Sequence, residues 1–138
     1  MQKINNLKSA IHSELKGNVA LMALINGVYN LNVKDGIEMP YVTYFIVTQR
    51  GDDNFSNTID YPWIQVDCYA QKTVTKSAQQ LAGEVAEAVA NVLDDVTLTI
   101  TGYTCVCFHR EATREVWDPI LKAWDIIIDY RGMIEQPK

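Results

Sequence analysis

WIQVDCYAQ at residues 63–71, followed after Lys72 by TVTKSAQQLAGEVAEAVANVLDD at 73–95, is the stretch that decides the fold. In the first segment Ile64, Val66, Cys68 and Ala70 alternate with Trp63, Gln65, Asp67 and Tyr69. Successive side chains of a strand point to opposite sheet faces, so the first set marks a core face. In the second segment Ala78, Leu81, Ala82, Val85, Val89, Val92 and Leu93 recur at three-and-four spacing, while Lys76, Gln80, Glu84, Glu87 and Asn91 lie off that stripe. One helix side is therefore apolar and packs on the strand's core face.

Working outward toward the N-terminus, Ile4, Leu7, Ile11 and Leu15 form a further helical stripe, ending at Gly17 as a left-handed cap. Asn18 caps a short helix over VALMALI, which Asn26-Gly27 stops. Val28–Val33 reads as a weak strand, Lys34-Asp35-Gly36 as a turn, and Tyr41–Thr48 (YVTYFIVT) as a central strand rich in β-branched and aromatic residues. RGDDNFSNTID at 50–60 is polar, turn-forming and aperiodic, which predicts a long functional loop.

Toward the C-terminus, Val96–Thr101 reads as a short strand before Gly102, and YTCVCFHREA as a strand of period two. TREVWDPIL at 113–121 reads as a second connection. In the last strand Trp124, Ile126, Ile128 and Tyr130 share one face, with Ala123, Asp125, Ile127, Asp129 and Arg131 on the other. The element order predicts an α+β fold: a mostly antiparallel or mixed sheet with one long helix and the N-terminal helices packed on one face. Trp63, Tyr69, Trp124 and either Tyr41 or Tyr44 would then crowd the outer face. That apolar surface implies a subunit interface, unless connecting loops cover it.

The chain has 138 residues, 48% hydrophobic and 21% charged, which suits one folded domain with a real core. A net charge of −5 argues against a surface that grips nucleic acid through phosphates. The N-terminal MQKINNLKSAIHSELKGN has neither a signal-peptide pattern nor a membrane span. Cys68, Cys105 and Cys107 are an odd set inside strand-like segments, which predicts free thiols and a reducing compartment.

Catalytic and metal chemistry finds little support. Cys105, Cys107 and His109 fall on one face of a regular strand, with Cys68 on another strand, and are the best zinc candidates. Residues four apart on a strand are separated by about 13 Å, from a rise of about 3.3 Å per residue, whereas zinc bonds are only about 2.0–2.3 Å long. Structural thiols are the plainer reading. Asp67, Asp125 and Asp129 could gather on one sheet face as hard-cation ligands, but a solvated surface, or one facing inward to a pore, explains them equally well. Ser9, Ser13, Ser56 and Ser77 lie in no nucleophile-elbow motif, His12 and His109 sit in no catalytic context, and no glycine-rich phosphate loop occurs. The expectation is a protein that is not an enzyme and needs no cofactor and no metal.

LMALINGVYN, MPYVTYFIV, WIQVDCYAQ leading into SAQQLAGEVAEAVANVL, and AWDIIIDYRG, in this order and spacing, resemble the small tail-completion or tail-terminator proteins of long-tailed bacteriophages. The resemblance spans nearly the whole chain and implies one tail-terminator-like domain over 1–138, from a phage or prophage. It implies a structural protein without catalytic residues that forms a hexameric ring on the head-proximal end of the tail tube. Such a ring ends tube polymerisation and joins the tail to a head-completion or connector protein, in the neck of a virion assembled in the host cytoplasm. DNA would only pass through, and no membrane is involved. Asp52, Asp53 and Phe55 in the first long loop, and Arg114, Glu115 and Trp117 in the second, are the candidate partner-contact residues. Two other readings stand beside it. One is a small-ligand or regulatory domain with a pocket lined by Cys68, Tyr69 or Trp124; the other is a metal-dependent hydrolase built on Asp67, Asp125, Asp129 and His109.

Overall fold

The structure, a computed structural model, describes residues 4–53 and 57–137. Three helices, α1 (Ile4–Lys16), α2 (Val19–Met22) and α3 (Ala78–Leu93), accompany six strands. The strands are β1 (Val28–Asn30), β2 (Tyr41–Asp53), β3 (Asn57–Ala70), β4 (Thr99–Ile100), β5 (Tyr103–Asp118) and β6 (Ala123–Pro137). They form one sheet in the order β1-β2-β3-β6-β5-β4. Only β1–β2 is a parallel pair; the other neighbours are antiparallel. The fold is α+β with a mixed sheet.

Periodicity explains which sheet face is covered. Ile64, Val66, Cys68 and Ala70 of β3 are wholly buried, and they join Ile126, Ile128, Tyr130 and Ile134 of β6 in the core. Leu81, Ala82, Val85, Val89 and Leu93 of α3, with Leu7, Ile11 and Leu15 of α1 and Leu21 of α2, complete the same cluster. Tyr130 lies in this core with its hydroxyl donating to Asp94 Oδ1 at 2.9 Å, and its ring stacks on Phe108 at 5.1 Å. The helix starts are capped as their sequences dictate: Asn18 Oδ1 accepts from the Leu21 amide at 2.9 Å and Ser77 Oγ from the Gln80 amide at 3.1 Å.

Several sequence expectations are corrected. Gly17 is not left-handed; its backbone N–H donates to Ser13 O at 2.9 Å, and a Cβ there would lie 2.8 Å from that oxygen. Closeness of backbone, not positive φ, is what glycine supplies. β1 stops at Asn30 because Leu31 turns to a φ of 64°. β2 is not central, since β3 and β6 occupy the middle of the sheet. The predicted loop at 50–60 is strand at both ends: β2 runs to Asp53, with Gly51 paired to Asp60, and β3 begins at Asn57. The predicted connection at 113–121 is likewise strand through Asp118, leaving a tight turn before Ala123. Ladder hydrogen bonds come from the backbone and not from side chains, so a polar sequence does not prevent strand pairing.

Candidate functional site

The sheet face opposite the helices carries the molecule's concentration of polar and aromatic groups. Alternation places Tyr41 and Thr43 of β2, Trp63, Gln65, Asp67 and Tyr69 of β3, and Asp125, Ile127, Asp129 and Arg131 of β6 on it. No helix of the core cluster covers this face, yet its centre is closed to water. Thr43 is 4% exposed, Asp67 6%, Asp125 7% and Asp129 4%. The sheet curls, and neighbouring side chains shelter one another.

The carboxylates there are buried rather than solvated, which corrects the reading of this face as a hydrated surface. Arg114 of β5 donates to Asp129 Oδ2 at 2.9 Å and lies 3.5 Å from Gln65 Oε1, while Gln65 Nε2 donates to Asp67 Oδ1 at 3.1 Å. One oxygen of Asp125 and one of Asp129 have no hydrogen-bond partner among the described residues. Burial, followed by the Asp67 charge, pushes the Asp125 carboxyl up to about 7, and burial also raises Asp67. Among the described residues no group of His, Cys, Asp and Glu side chains could hold a metal ion. Register explains this: Asp125 and Asp129 pair with Tyr69 and Gln65, and are four residues apart on one extended strand.

The aromatic set is partly rearranged from expectation. Tyr29, Tyr41 and Tyr69 form a row across β1, β2 and β3, with ring centroids 6.1 and 5.3 Å apart. Arg131 stacks over Trp63 at 4.3 Å and its Nε meets Glu111 Oε2 at 2.5 Å. Tyr44 and Trp124 belong to the other side: Tyr44 is in the core against His12, 3.1 Å from ring nitrogen to hydroxyl, and Trp124 packs on the core beside Trp117.

Bulges in β5 dismantle the zinc candidate. Register shifts between Cys105 and Cys107 and again between Arg110 and Ala112 put Cys105 against the core and Cys107 in solvent on the opposite face. Cys68 is wholly buried, and burial raises its thiol well above the usual range. The same burial removes Cys68 from any ligand pocket. The large groove lies elsewhere, about 1010 Å³ lined by Gln71–Ala78, Trp117, Pro119 and Lys122.

The candidate partner-contact residues do not converge within one chain. Phe55 lies outside the described residues. Asp52 and Asp53 pair with Ile59 and Thr58 in the β2–β3 hairpin, at the end of the sheet where Ile59 meets Glu135 and Glu135 meets Thr104. Arg114, Glu115 and Trp117 are strand residues near the other end, where Trp117 pairs with Trp124 and Trp124 with Ala70. Arg114 faces the carboxylates, whereas Glu115, 3.5 Å from Trp124 Nε1, and Trp117 lie on the helix side beside the groove. Sequence reading grouped Asp67, Asp125 and Asp129 on one face; what it missed is their burial and the pairing of Asp129 with Arg114, a residue it placed in a connection.

This sheet, without a catalytic constellation among its described residues, has a counterpart among virion proteins. The sequence profile of the family described as tail completion protein gp17 matches residues 9–135. The chain belongs to that family. A tail completion protein is a structural component of a phage-like virion tail and not an enzyme. The fold agrees: a chain of a solved structure described as "Virion of native gene transfer agent (GTA) particle" superposes with a TM-score of 0.80. The match covers 98% of this chain and 99% of that one at 16% identity, a likeness of fold. No curated protein matches this tail completion protein by sequence.

Proposed function

We propose that this tail completion protein, acting as one domain over residues 1–138, forms a ring, a hexamer, on the head-proximal end of the tail tube. There it ends tube polymerisation and joins the tail to a head-completion or connector protein, in the neck of a virion assembled in the host cytoplasm. The family match over residues 9–135 carries this reading. The exposed apolar residues Val74 and Trp117 lining the large groove support it, because a partner protein would bury them. Asp52, Asp53, Phe55, Arg114, Glu115 and Trp117 remain the proposed contact set, with Asp52 and Asp53 near one end of the sheet and Arg114, Glu115 and Trp117 near the other. A net charge of −5 suits a channel through which DNA passes without being held.

The test is the solution mass of the purified chain by light scattering over a range of concentrations, with electron microscopy in the presence of tail tubes. Rings, alone or on tube ends, are the expected result. A chain that stays a monomer or dimer and never binds tubes overturns the reading in favour of a ligand-binding domain.

A further inference from the structure

We propose that neighbouring copies join edge to edge: the outer edge of β5 in one copy pairs antiparallel with the outer edge of β2 in the next. The sheets of the ring thereby become one continuous sheet. This rests on the ring reading above, and it names the surfaces that make the ring.

β4 covers β5 only at Tyr103 and Thr104, and β1 covers β2 only at Val42, Thr43 and Tyr44. Among the described residues no strand pairs with the outer edge of β5 from Cys105 to Asp118, or of β2 from Phe45 to Asp53. Open edges present rows of unpaired N–H and C=O groups, and proteins ordinarily keep such edges short or blunt them. Here two long strands, of 13 and 16 residues, carry them. Their bulges, between Ile46 and Thr48, Cys105 and Cys107, and Arg110 and Ala112, leave two regular runs: Thr48–Asp53 on β2 and Ala112–Asp118 on β5.

Four apolar side chains beside these edges are unburied. Val116 and Trp117 flank the β5 run at 43% and 48% exposure, while Leu31 and Val47 stand at the β2 edge at 56% and 37%. Leu31 and Val47 also line a groove of about 460 Å³ along that edge. Pairing strands would bury both sets.

Topology selects a second copy as the occupant and fixes the sense of pairing. β2, β3, β6 and β5 follow one another antiparallel, so β2 and β5 run in opposite directions at opposite margins of the sheet. Rotation about a ring axis preserves each strand's sense along that axis. β5 of one copy therefore meets β2 of the next antiparallel, in the more stable ladder. A two-fold pairing of β5 with β5 would leave both β2 edges open; head-to-tail joining satisfies both edges of every copy with one kind of contact, and it makes a ring when the rotation between copies closes. β1 and β4 cover opposite ends of the two edges, so the paired stretches are staggered, as a closed sheet of tilted strands requires. The pairing also brings Asp52 and Asp53 of one copy to the run that holds Arg114 and Glu115 in its neighbour.

Hydrogen exchange of the full chain, dilute and then assembled with tail tubes, read by peptide mass, tests this. Amides in 48–53 and in 112–118 should slow together on assembly, each by roughly tenfold or more. Rings that protect neither segment, or only one, overturn edge pairing while leaving the ring intact. A dimer protecting 112–118 alone identifies the two-fold pairing and also overturns it. Absence of any assembly removes the ring reading and this proposal with it. As a second measurement, Glu115→Pro and Val116→Pro delete adjacent amides, one directed at β6 and the other outward. The outward one should abolish rings with the monomer's circular dichroism unchanged; two folded variants that both make rings would sink the proposal.

Discussion

Asp125 is 7% exposed and has Asp67 and Asp118 nearby, offset in part by a hydrogen bond from the Tyr69 hydroxyl and by Arg114. Its carboxyl stands at about 7, above the usual carboxylate range, because burial and the Asp67 charge both disfavour ionisation. The folded state thus holds a proton that the unfolded chain releases near pH 4, so this group's contribution to stability is complete below about pH 4. It is lost as pH rises through about 7. Asp125→Asn mimics the protonated form, and we expect it to raise the Tm of the unassembled chain at pH 8 by about 5 °C, with little change at pH 4. Thermal melts of both proteins across that pH range check this; an equal gain at both ends would mean that packing, not charge, is responsible. The burial behind the effect was not legible in the sequence, since aspartates alternating with isoleucine on a strand read as a wet face. Enclosure came from neighbours on other strands, notably Arg114, which the sequence suggested was in a loop.

Among the elements, α3 shows what local pattern specifies. Ser77 precedes the apolar stripe, and its hydroxyl accepts from the Gln80 amide at 3.1 Å, satisfying a donor that the first helical turn leaves free. Ser77→Ala should therefore destabilise the chain by about 1 kcal/mol, a typical N-cap loss. Urea unfolding with unchanged m-value would measure it, and an effect near zero would show that water replaces the cap. α3 and the β3 stretch 63–70 were readable because each buries one side and exposes the other, so helical and strand periods survive in the sequence. The hairpin at 50–60 and the end of β5 were not. Residues 109–117 of β5 are exposed on both faces, which erases alternation, and its bulges shift the phase twice. Strands of this kind are held by backbone pairing with β6, a long-range partner that no local window contains.

At the scale of the whole molecule, one side of the sheet is closed by helices and the other closes on itself, while, among the described residues, the two edges and the groove beside Trp117 stay open to a partner. Of these the groove offers the clearest single-residue test. Trp117 is 48% exposed, its ring lies 6.0 Å from that of Trp124, and it borders the groove walled by residues 71–78. Half-exposed aromatic rings at interfaces commonly dominate binding, whereas truncating a surface side chain costs the monomer little. Trp117→Ala should thus change Tm by no more than about 3 °C, yet weaken assembly on tail tubes by about 30-fold or more, the equivalent of a hot-spot loss near 2 kcal/mol. Sedimentation with tubes, alongside a thermal melt, separates the two effects. Tail joining at wild-type efficiency by a folded Trp117→Ala chain would remove the groove from the contact surface and leave assembly to the backbone edges, without a contribution from the Trp117 ring.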